Sequence, residues 1–201
     1  MSLTYANPLK LSACECFVEP FPYFVSREGF SREASLNILA WLEGAAPWRL
    51  VETDFYEQYE FDFLDARLPS DLAFLQEELF LDEVRTRAAS IFRAELSERI
   101  DLNAHKLIKG QRIRLHNDFI PGQETHRLLI QLNRGWEDEQ GGLLIFFNSA
   151  EPADIHRAFR PCHNSVVGFA ISPNSNHAVS TIHGGERFTL VFSFYEKNSN
   201  A

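Results

Sequence analysis

The second half of the chain alternates apolar and polar positions in short runs, a pattern that predicts half-buried β-strands. Turn signals such as Gly141-Gly142 and Pro173-Asn174 separate the runs. Eight runs in about 95 residues fit the two packed sheets of a jelly roll, or double-stranded β-helix. The predicted strands are 104–108, 112–116, 127–133, 143–147, 155–159, 166–171, 178–182 and 188–195.

In the first half of the chain, the sequence pattern predicts helices that pack against the outside of this core. Ser31 fits the N-cap of a helix that runs to about Glu43 and ends at Gly44. The predicted face of this helix comprises Leu36, Leu39, Ala40 and Glu43. A second helix is predicted from 69–71 to about Arg99. Its face comprises Leu81, Val84, Ala88, Ile91 and Phe92.

The residues before the first helix predict an edge strand. Residues 16–25 are β-prone, but Pro20 and Pro22 interrupt the run, as prolines do at sheet edges. We therefore expect an α+β fold that is mainly β. It would form one domain over residues 1–201, with helical support at about 1–100 and the jelly-roll core at about 101–196.

Composition and charge argue against some classes of binding partner. The 201 residues carry a net charge of −9, which gives no basic surface for nucleic acid or anionic lipid. No apolar run approaches the ~20 residues of a membrane span, and residues 1–4 do not open a signal peptide. The odd set of cysteines, Cys14, Cys16 and Cys162, argues against a secreted disulfide framework. We expect a cytoplasmic protein that binds neither nucleic acid nor membrane, and its oligomeric state stays open.

The main chemical signal is His116-Asn117-Asp118, with His177 far downstream. In an extended backbone, residues two apart point to the same face, so His116 and Asp118 form a pair of candidate ligands. Two imidazoles and one carboxylate make the facial triad of non-haem Fe(II) sites, which leaves positions open for other ligands. We therefore predict a catalytic metal site made by His116, Asp118 and His177.

A cationic residue follows on the last predicted strand. Arg187 lies ten residues after His177, and Thr189 shares its face. A guanidinium fork can bind a carboxylate through two hydrogen bonds. Val191 lies on the same face, where an unpaired charge is expensive to bury. A keto acid bound to the metal would supply the carboxylate, and the alternative is a structural pair with a Glu or Asp.

These features resemble the Fe(II)/2-oxoglutarate-dependent dioxygenases, and within them the prolyl 4-hydroxylase-like group. That family has His-x-Asp, a distal His and a basic residue about ten positions later. The resemblance covers roughly residues 103–195. It includes Leu132-Asn133, Trp136, Gly141-Gly142-Leu143 and the strand Gly185-Glu186-Arg187-Phe188-Thr189-Leu190.

The resemblance implies a hydroxylase that uses Fe(II), 2-oxoglutarate and O2, with ascorbate as a candidate addition, and releases succinate and CO2. Arg187 and Thr189 would hold 2-oxoglutarate. Asp118 implies hydroxylation over halogenation, because halogenating relatives lack this carboxylate, while desaturation or ring formation stays open. The expected substrate is a prolyl or other amino-acid-like group, carried on a peptide or carrier protein or free as a small molecule.

One position departs from the family pattern. Many relatives have a Tyr three residues before the glycine that precedes His-x-Asp, and its hydroxyl helps to hold 2-oxoglutarate. Counting back from Gly110, this chain has Leu107. Either another residue supplies the contact, with Thr189 as the candidate, or the local alignment is shifted by one residue.

Two assignments have direct rivals. His183 lies six residues after His177 and is the alternative third ligand, but Gly184-Gly185 beside it indicates a turn. A non-catalytic cupin-like jelly roll that binds a metal or ligand is the alternative function.

Substrate contacts are the least determined part of the site. Four arginines are candidates to line the mouth of the jelly roll, and the alternative for each is that it is solvated: Arg112, Arg114, Arg127 and Arg134. Trp136 is a candidate to cover the substrate, and the alternative is that it caps the core. The acidic run 137–139 beside it would attract a cationic substrate, or is a solvated loop.

Overall fold

The computed structural model describes residues 8–11 and 13–197, which form two antiparallel sheets. The strands are β1 Cys14–Phe17, β2 Tyr23–Ser26, β3 Arg49–Glu52, β4 Glu57–Asp62, β5 Leu96–Leu107, β6 Ile113–His116, β7 His126–Gln131, β8 Leu144–Phe147, β9 Ile155–Phe159, β10 Val166–Ala170, β11 His177–Val179 and β12 Arg187–Glu196. The larger sheet has the order β1-β2-β10-β7-β12-β5-β4-β3, and the smaller β6-β11-β8-β9. The predicted fold class, a mainly β jelly roll, is confirmed.

All eight strands predicted in the second half are present, as β5 to β12. The prediction of helix up to Arg99 is wrong, because α2 comprises Glu78–Phe92 and Arg93 turns out of it with a φ of 56°. Residues from Leu96 onward pair instead with β12, in a ladder that continues to Leu107. These long-range backbone hydrogen bonds outweigh the local helix propensity of a few charged residues.

The first helix, α1, comprises Arg32–Gly44, and its predicted cap is confirmed: the Ser31 hydroxyl accepts a hydrogen bond from the Ala34 N–H at 3.3 Å. The predicted face is wrong apart from Leu39, because Leu36 is exposed. The buried residues of α1 recur at the expected spacing of three and four, but they lie on a neighbouring face of the helix. They are Ala34, Ser35, Ile38, Leu39 and Leu42.

The N-terminal half contributes strands as well as helices. The segment 16–25, predicted as one edge strand, is divided between two strands: β1 lies at the edge of the larger sheet, and β2 lies between β1 and β10. β3 and β4 form a hairpin at the opposite edge. A 3₁₀ turn, Ala73–Gln76, leads into α2. Neither α-helix in the described part of the chain is long and apolar enough to cross a membrane. Residues 1–4, which bear on the predicted absence of a signal peptide, lie outside the described residues.

β12 divides the interior into two hydrophobic clusters. Its outer face packs with residues of α1 and α2, which therefore cover the larger sheet as predicted. This outer face comprises Phe188, Leu190, Phe192 and Phe194. On the inner face, Val191 packs in a second cluster with residues of the smaller sheet, among them Phe146 and Val179. Because side chains alternate along a strand, Arg187 and Thr189 share the inner face and point between the sheets.

We predict that Gly168→Ala destabilises the fold by roughly 1–3 kcal/mol, the usual cost of overpacking a core. A Cβ at this position of β10 would lie 2.2 Å from the ring of Phe24, which is buried and cannot move without disturbing Phe92. Chemical denaturation would measure the change. Gly44→Ala is the matched control, because nothing lies within 4 Å of its Cβ. Equal stability of the two variants would contradict the packing argument.

Candidate metal centre

His116 and Asp118 lie at the end of β6, where the chain leaves the smaller sheet. His116 is the last residue of the strand, and Asp118 has a φ of 60°. The expectation that a continuous extended backbone aligns the two side chains is therefore wrong. A left-handed turn brings them together instead, with His116 Nε2 3.1 Å from Asp118 Oδ1. Asp is among the few residues that tolerate this conformation.

His177 completes the cluster from the neighbouring strand. It opens β11 and pairs in register with His116, so that the two imidazole ring centres lie 4.2 Å apart. His177 Nε2 lies 3.1 Å from Asp118 Oδ2. The ligand atoms of the three residues lie within 4.8 Å of one another, so the structure brings the predicted triad together.

Both imidazoles are oriented by backbone carbonyls. Nδ1 of His116 donates to the Arg114 carbonyl at 2.8 Å, and Nδ1 of His177 donates to the Ser175 carbonyl at 2.7 Å. A carbonyl only accepts, so Nδ1 carries the hydrogen and Nε2 keeps its lone pair toward Asp118. Burial also lowers the pKa of His177, which favours the neutral ligand form. The donor set therefore suits a divalent transition metal.

Side chains around the turn fix the position of Asp118. The Ser175 hydroxyl donates to the Asn117 carbonyl at 2.8 Å, and the Asn117 amide donates to the Pro173 carbonyl at 3.0 Å. The Asn117 side-chain oxygen accepts from the Phe119 N–H at 3.1 Å. The β6 turn is thus held to the loop that precedes β11, which keeps the two ligand-bearing segments in register.

Arg127 on β7 lines the cavity, as one of its two predicted alternatives stated, and it also makes a contact with Asp118 that the sequence did not predict. Its Nη1 donates to Asp118 Oδ2 at 2.5 Å, and its Nη2 bonds to Glu124. Burial alone would raise the pKa of Asp118, but the neighbouring Arg127 charge lowers it, and the pKa lies well below its usual range. The sequence feature that could have indicated this contact is the position of Arg127, a single charged residue directly before the apolar run 128–130.

A cavity of about 300 Å³ opens beside the three candidate ligands and reaches Arg187 and Thr189 between the sheets. Arg187 is only 3% exposed, and its Nε has no hydrogen-bond partner in the described part of the chain. No Asp or Glu oxygen of residues 8–11 and 13–197 lies within ion-pair distance of Arg187, so the alternative of a structural pair is not found there. Burial lowers the pKa of Arg187 to about 10, which leaves it charged at neutral pH.

Thr189 orients Arg187 through a directed chain of hydrogen bonds. Its hydroxyl accepts from Arg187 Nη1 at 2.9 Å and donates to Gln131 Oε1 at 2.9 Å. The Thr189 hydrogen is therefore already used, and direct donation to a cosubstrate would require breaking the bond to Gln131. Leu107 pairs with Arg187 across β5 and β12 and is buried in the cluster between the sheets, where it offers no polar group.

The structure separates the remaining predicted residues from this cavity. Trp136 is buried, and its indole N–H donates to the Gly141 carbonyl at 2.9 Å, so the prediction that it covers a substrate is wrong and it caps the core. Arg112 and Arg114 line a separate depression beside the β3–β4 turn. His183 is exposed and does not line the cavity.

The acidic run 137–139 does not reach the cavity either. Asp138 accepts two hydrogen bonds of 2.7 Å from Arg160, which lowers the pKa of Asp138. None of the three acidic residues lines the cavity. The expected attraction of a cationic substrate by this loop is therefore not supported.

Comparison with known proteins finds similar sequences among the 2OG-Fe(II) oxygenases. The sequence profile of the 2OG-Fe(II) oxygenase superfamily matches residues 102–194. The prolyl 3-hydroxylase OGFOD1 of Mus musculus is 25% identical over 154 residues, which cover 72% of this chain and 28% of that protein. Its counterpart in Xenopus laevis is 26% identical over 171 residues, which cover 81% and 32%. The chain thus spans about a third of the length of these curated relatives.

Solved structures share the fold at lower identity. A Pseudomonas putida prolyl-4-hydroxylase superposes with a TM-score of 0.71 at 15% identity, covering 88% of this chain and 93% of that one. A Trichoplax adhaerens prolyl hydroxylase, solved with a hypoxia inducible factor peptide fragment, gives 0.68 at 11% identity and covers 87% and 83%. These likenesses show the fold of the chain.

We predict that His177→Ala lowers Mn(II) or Fe(II) affinity by on the order of 100-fold or more, because even residues behind metal ligands contribute 10–100-fold. His183→Ala is the matched control and should bind metal as the unmodified protein does. Anaerobic isothermal titration calorimetry would give both affinities. Loss of binding in His183→Ala with retention in His177→Ala would assign the third ligand to the wrong histidine.

Proposed function

We propose that the chain is a member of the 2OG-Fe(II) oxygenase superfamily, in its prolyl hydroxylase-like group, and that it hydroxylates an unactivated C–H bond of a prolyl or other amino-acid-like substrate. The family uses Fe(II), 2-oxoglutarate and O2. One oxygen atom enters the new hydroxyl group and the other enters succinate, while 2-oxoglutarate loses CO2. The observation that carries the proposal is the buried Arg187, which has no carboxylate partner among the described residues and lines the same cavity as two neutral imidazoles and one ionised carboxylate.

The donor set fits Fe(II), and we assign His116, Asp118 and His177 as its ligands. Bound there, the metal would supply the oxidising chemistry that removes a hydrogen atom from the substrate. The protein's part is to present two Nε2 lone pairs and one ionised carboxylate. Arg127 contributes by keeping Asp118 deprotonated and in place, and its second bond to Glu124 leaves it no freedom to take another orientation.

Arg187 is assigned to the distal carboxylate of 2-oxoglutarate. Burying an unpaired guanidinium is costly, and a ligand carboxylate removes that cost while using the free Nε. Thr189 and Gln131 hold the guanidinium in a fixed direction, so little conformational freedom is lost when the cosubstrate binds. The walls of the cavity include Leu129, Val179 and Val191, which exclude water from the contact.

A prolyl side chain is the proposed target, by analogy with relatives named as prolyl hydroxylases. One of the similar structures was solved with a peptide, which supports a peptidyl substrate. We also propose that the chain acts as one domain, since the strands from both halves share the larger sheet.

A direct test is to supply the purified protein with Fe(II), 2-oxoglutarate and O2 and to measure succinate. We expect succinate in the presence of proline-containing peptides and a mass increase of one oxygen atom on the accepted peptide. The alternative, a non-catalytic cupin-like protein, predicts metal or ligand binding with no succinate above a sample without Fe(II). Binding of 2-oxoglutarate with no turnover over a broad peptide set would favour that alternative.

We predict that Arg187→Met raises the dissociation constant for 2-oxoglutarate about 10–100-fold, because a charge-assisted hydrogen bond contributes roughly 1.5–3 kcal/mol. Metal affinity should stay unchanged, since Arg187 does not touch the candidate ligands. Calorimetry on the Mn(II)-loaded protein would separate the two constants. Arg134→Met is the control, because Arg134 is exposed and pairs with Glu43 away from the cavity. Equal effects of both variants would remove Arg187 from the cosubstrate site.

A further inference from the structure

Glu60 is a carboxylate on the cavity wall without a cationic partner. It lies on β4, next to His105 across the sheet, and lines the cavity with Asp118 and Arg187. Its Oε2 accepts a hydrogen bond from Gln58 Nε2 at 2.8 Å. In the part of the chain that the structure describes, no Lys or Arg nitrogen lies within 4.0 Å of Glu60. The protein therefore leaves this charge available.

Gln58 adds a second free acceptor to the same wall. The carboxylate of Glu60 can only accept, so the Gln58 amide must turn its NH₂ group toward Glu60 and its Oε1 away. Gln58 is 2% exposed, and this Oε1 has no hydrogen-bond partner. A buried acceptor without a donor is unfavourable, and it is satisfied when a ligand brings N–H groups.

His105 does not neutralise Glu60. Its Nε2 lies 4.0 Å from Glu60 Oε2, which is too long for a hydrogen bond. Burial, together with the charges of Arg127 and Arg187, lowers the pKa of His105 to about 3. The imidazole is therefore neutral at physiological pH and contributes no positive charge to this wall.

The other charges of the loaded cavity balance. Arg187 would be matched by the distal carboxylate of 2-oxoglutarate, and the divalent metal by Asp118 and the second carboxylate of 2-oxoglutarate. Arg127 is matched by Glu124, its second partner. Among the charged groups that line the cavity, Glu60 is then the one whose charge has no opposite charge to balance it. This step rests on the proposed function, because it counts the metal and 2-oxoglutarate.

We propose that Glu60 and Gln58 form a substrate subsite that binds a cationic ammonium group, and that the enzyme therefore selects substrates with such a group close to the reacting carbon. The rings of Phe55 and Tyr56 line the same cavity, and aromatic faces also attract cations. The ammonium group belongs either to a basic side chain of a peptide or to the free amine of an amino acid. This subsite, and not the acidic loop 137–139, would then select for positively charged substrates.

Pairs of probes that differ in one charge test this subsite on the protein loaded with Mn(II) and 2-oxoglutarate. In one arm, end-blocked pentapeptides carry a single Pro in an alanine background, and Lys or neutral norleucine occupies each other position in turn. In the second arm, free L-proline is compared with N-acetyl-L-proline. We expect the cationic member of at least one pair to bind about tenfold tighter in calorimetry, as a charge-assisted hydrogen bond provides.

The variant Glu60→Gln keeps the shape and the hydrogen bond to Gln58, and should reduce this preference to about one. Glu98→Gln is the matched control, because Glu98 is exposed on β5 and does not line the cavity. The 2-oxoglutarate dissociation constant is measured in all three proteins. Normal 2-oxoglutarate binding with no cationic preference in either arm, or with a preference that survives in Glu60→Gln, overturns the subsite and leaves the proposed function standing. Absence of 2-oxoglutarate binding in the unmodified protein overturns both.

Discussion

The burial of Arg187 between two sheets constrains the rest of the structure. β12 alternates strictly, so the position of Arg187 is tied to Phe188, Leu190 and the aromatic residues beyond them, which pack under the helices. A slip of one residue would expose that aromatic face to the cavity and place the charge in the outer core. The hydrophobic effect on one face of β12 thus holds an unpaired charge on the other, at a place where a carboxylate ligand relieves the cost.

The metal cluster depends on a different kind of constraint. Its residues lie at strand ends, and their direction is set by carbonyls and by the hydrogen bonds that join the Asp118 turn to the loop before β11. Two backbone carbonyls fix both imidazoles in one tautomer before any metal arrives. This preorganisation lowers the entropy lost on metal binding, and the Arg127 contact keeps the carboxylate ionised at the same time.

Sequence patterns predicted what depends on local spacing. The strands β5 to β12, the Ser31 cap and the alternation that points Arg187 and Thr189 inward follow from periods of two or from a capping residue. The triad was predicted from the same period, but a left-handed turn at Asp118 aligns its first two residues. The end of α2 did not, because pairing of β5 with β12 decides it. The pairing of Arg127 with Asp118 and the position of Glu60 were not predicted either, because each depends on residues of other strands or turns. Trp136 was misassigned because a short motif does not show which side of the core its ring will fill.

The contrast between the arginines shows how the fold distinguishes structural charges from those reserved for ligands. Arg127 has carboxylates on two sides, Asp118 and Glu124, which balance its charge within the protein, although its Nε has no hydrogen-bond partner among the described residues. Within residues 8–11 and 13–197, Arg187 has only neutral partners, and Glu60 on the other side of β5 has none that is cationic. Arg187 and Glu60 form no ion pair with each other in the structure, and β5 separates their strands by two spacings, about 9–10 Å. His105 lies on β5 between them, and because its pKa is lowered to about 3, it is neutral and balances neither charge. One unpaired cation and one unpaired anion therefore line a single cavity, and each is left for a different ligand.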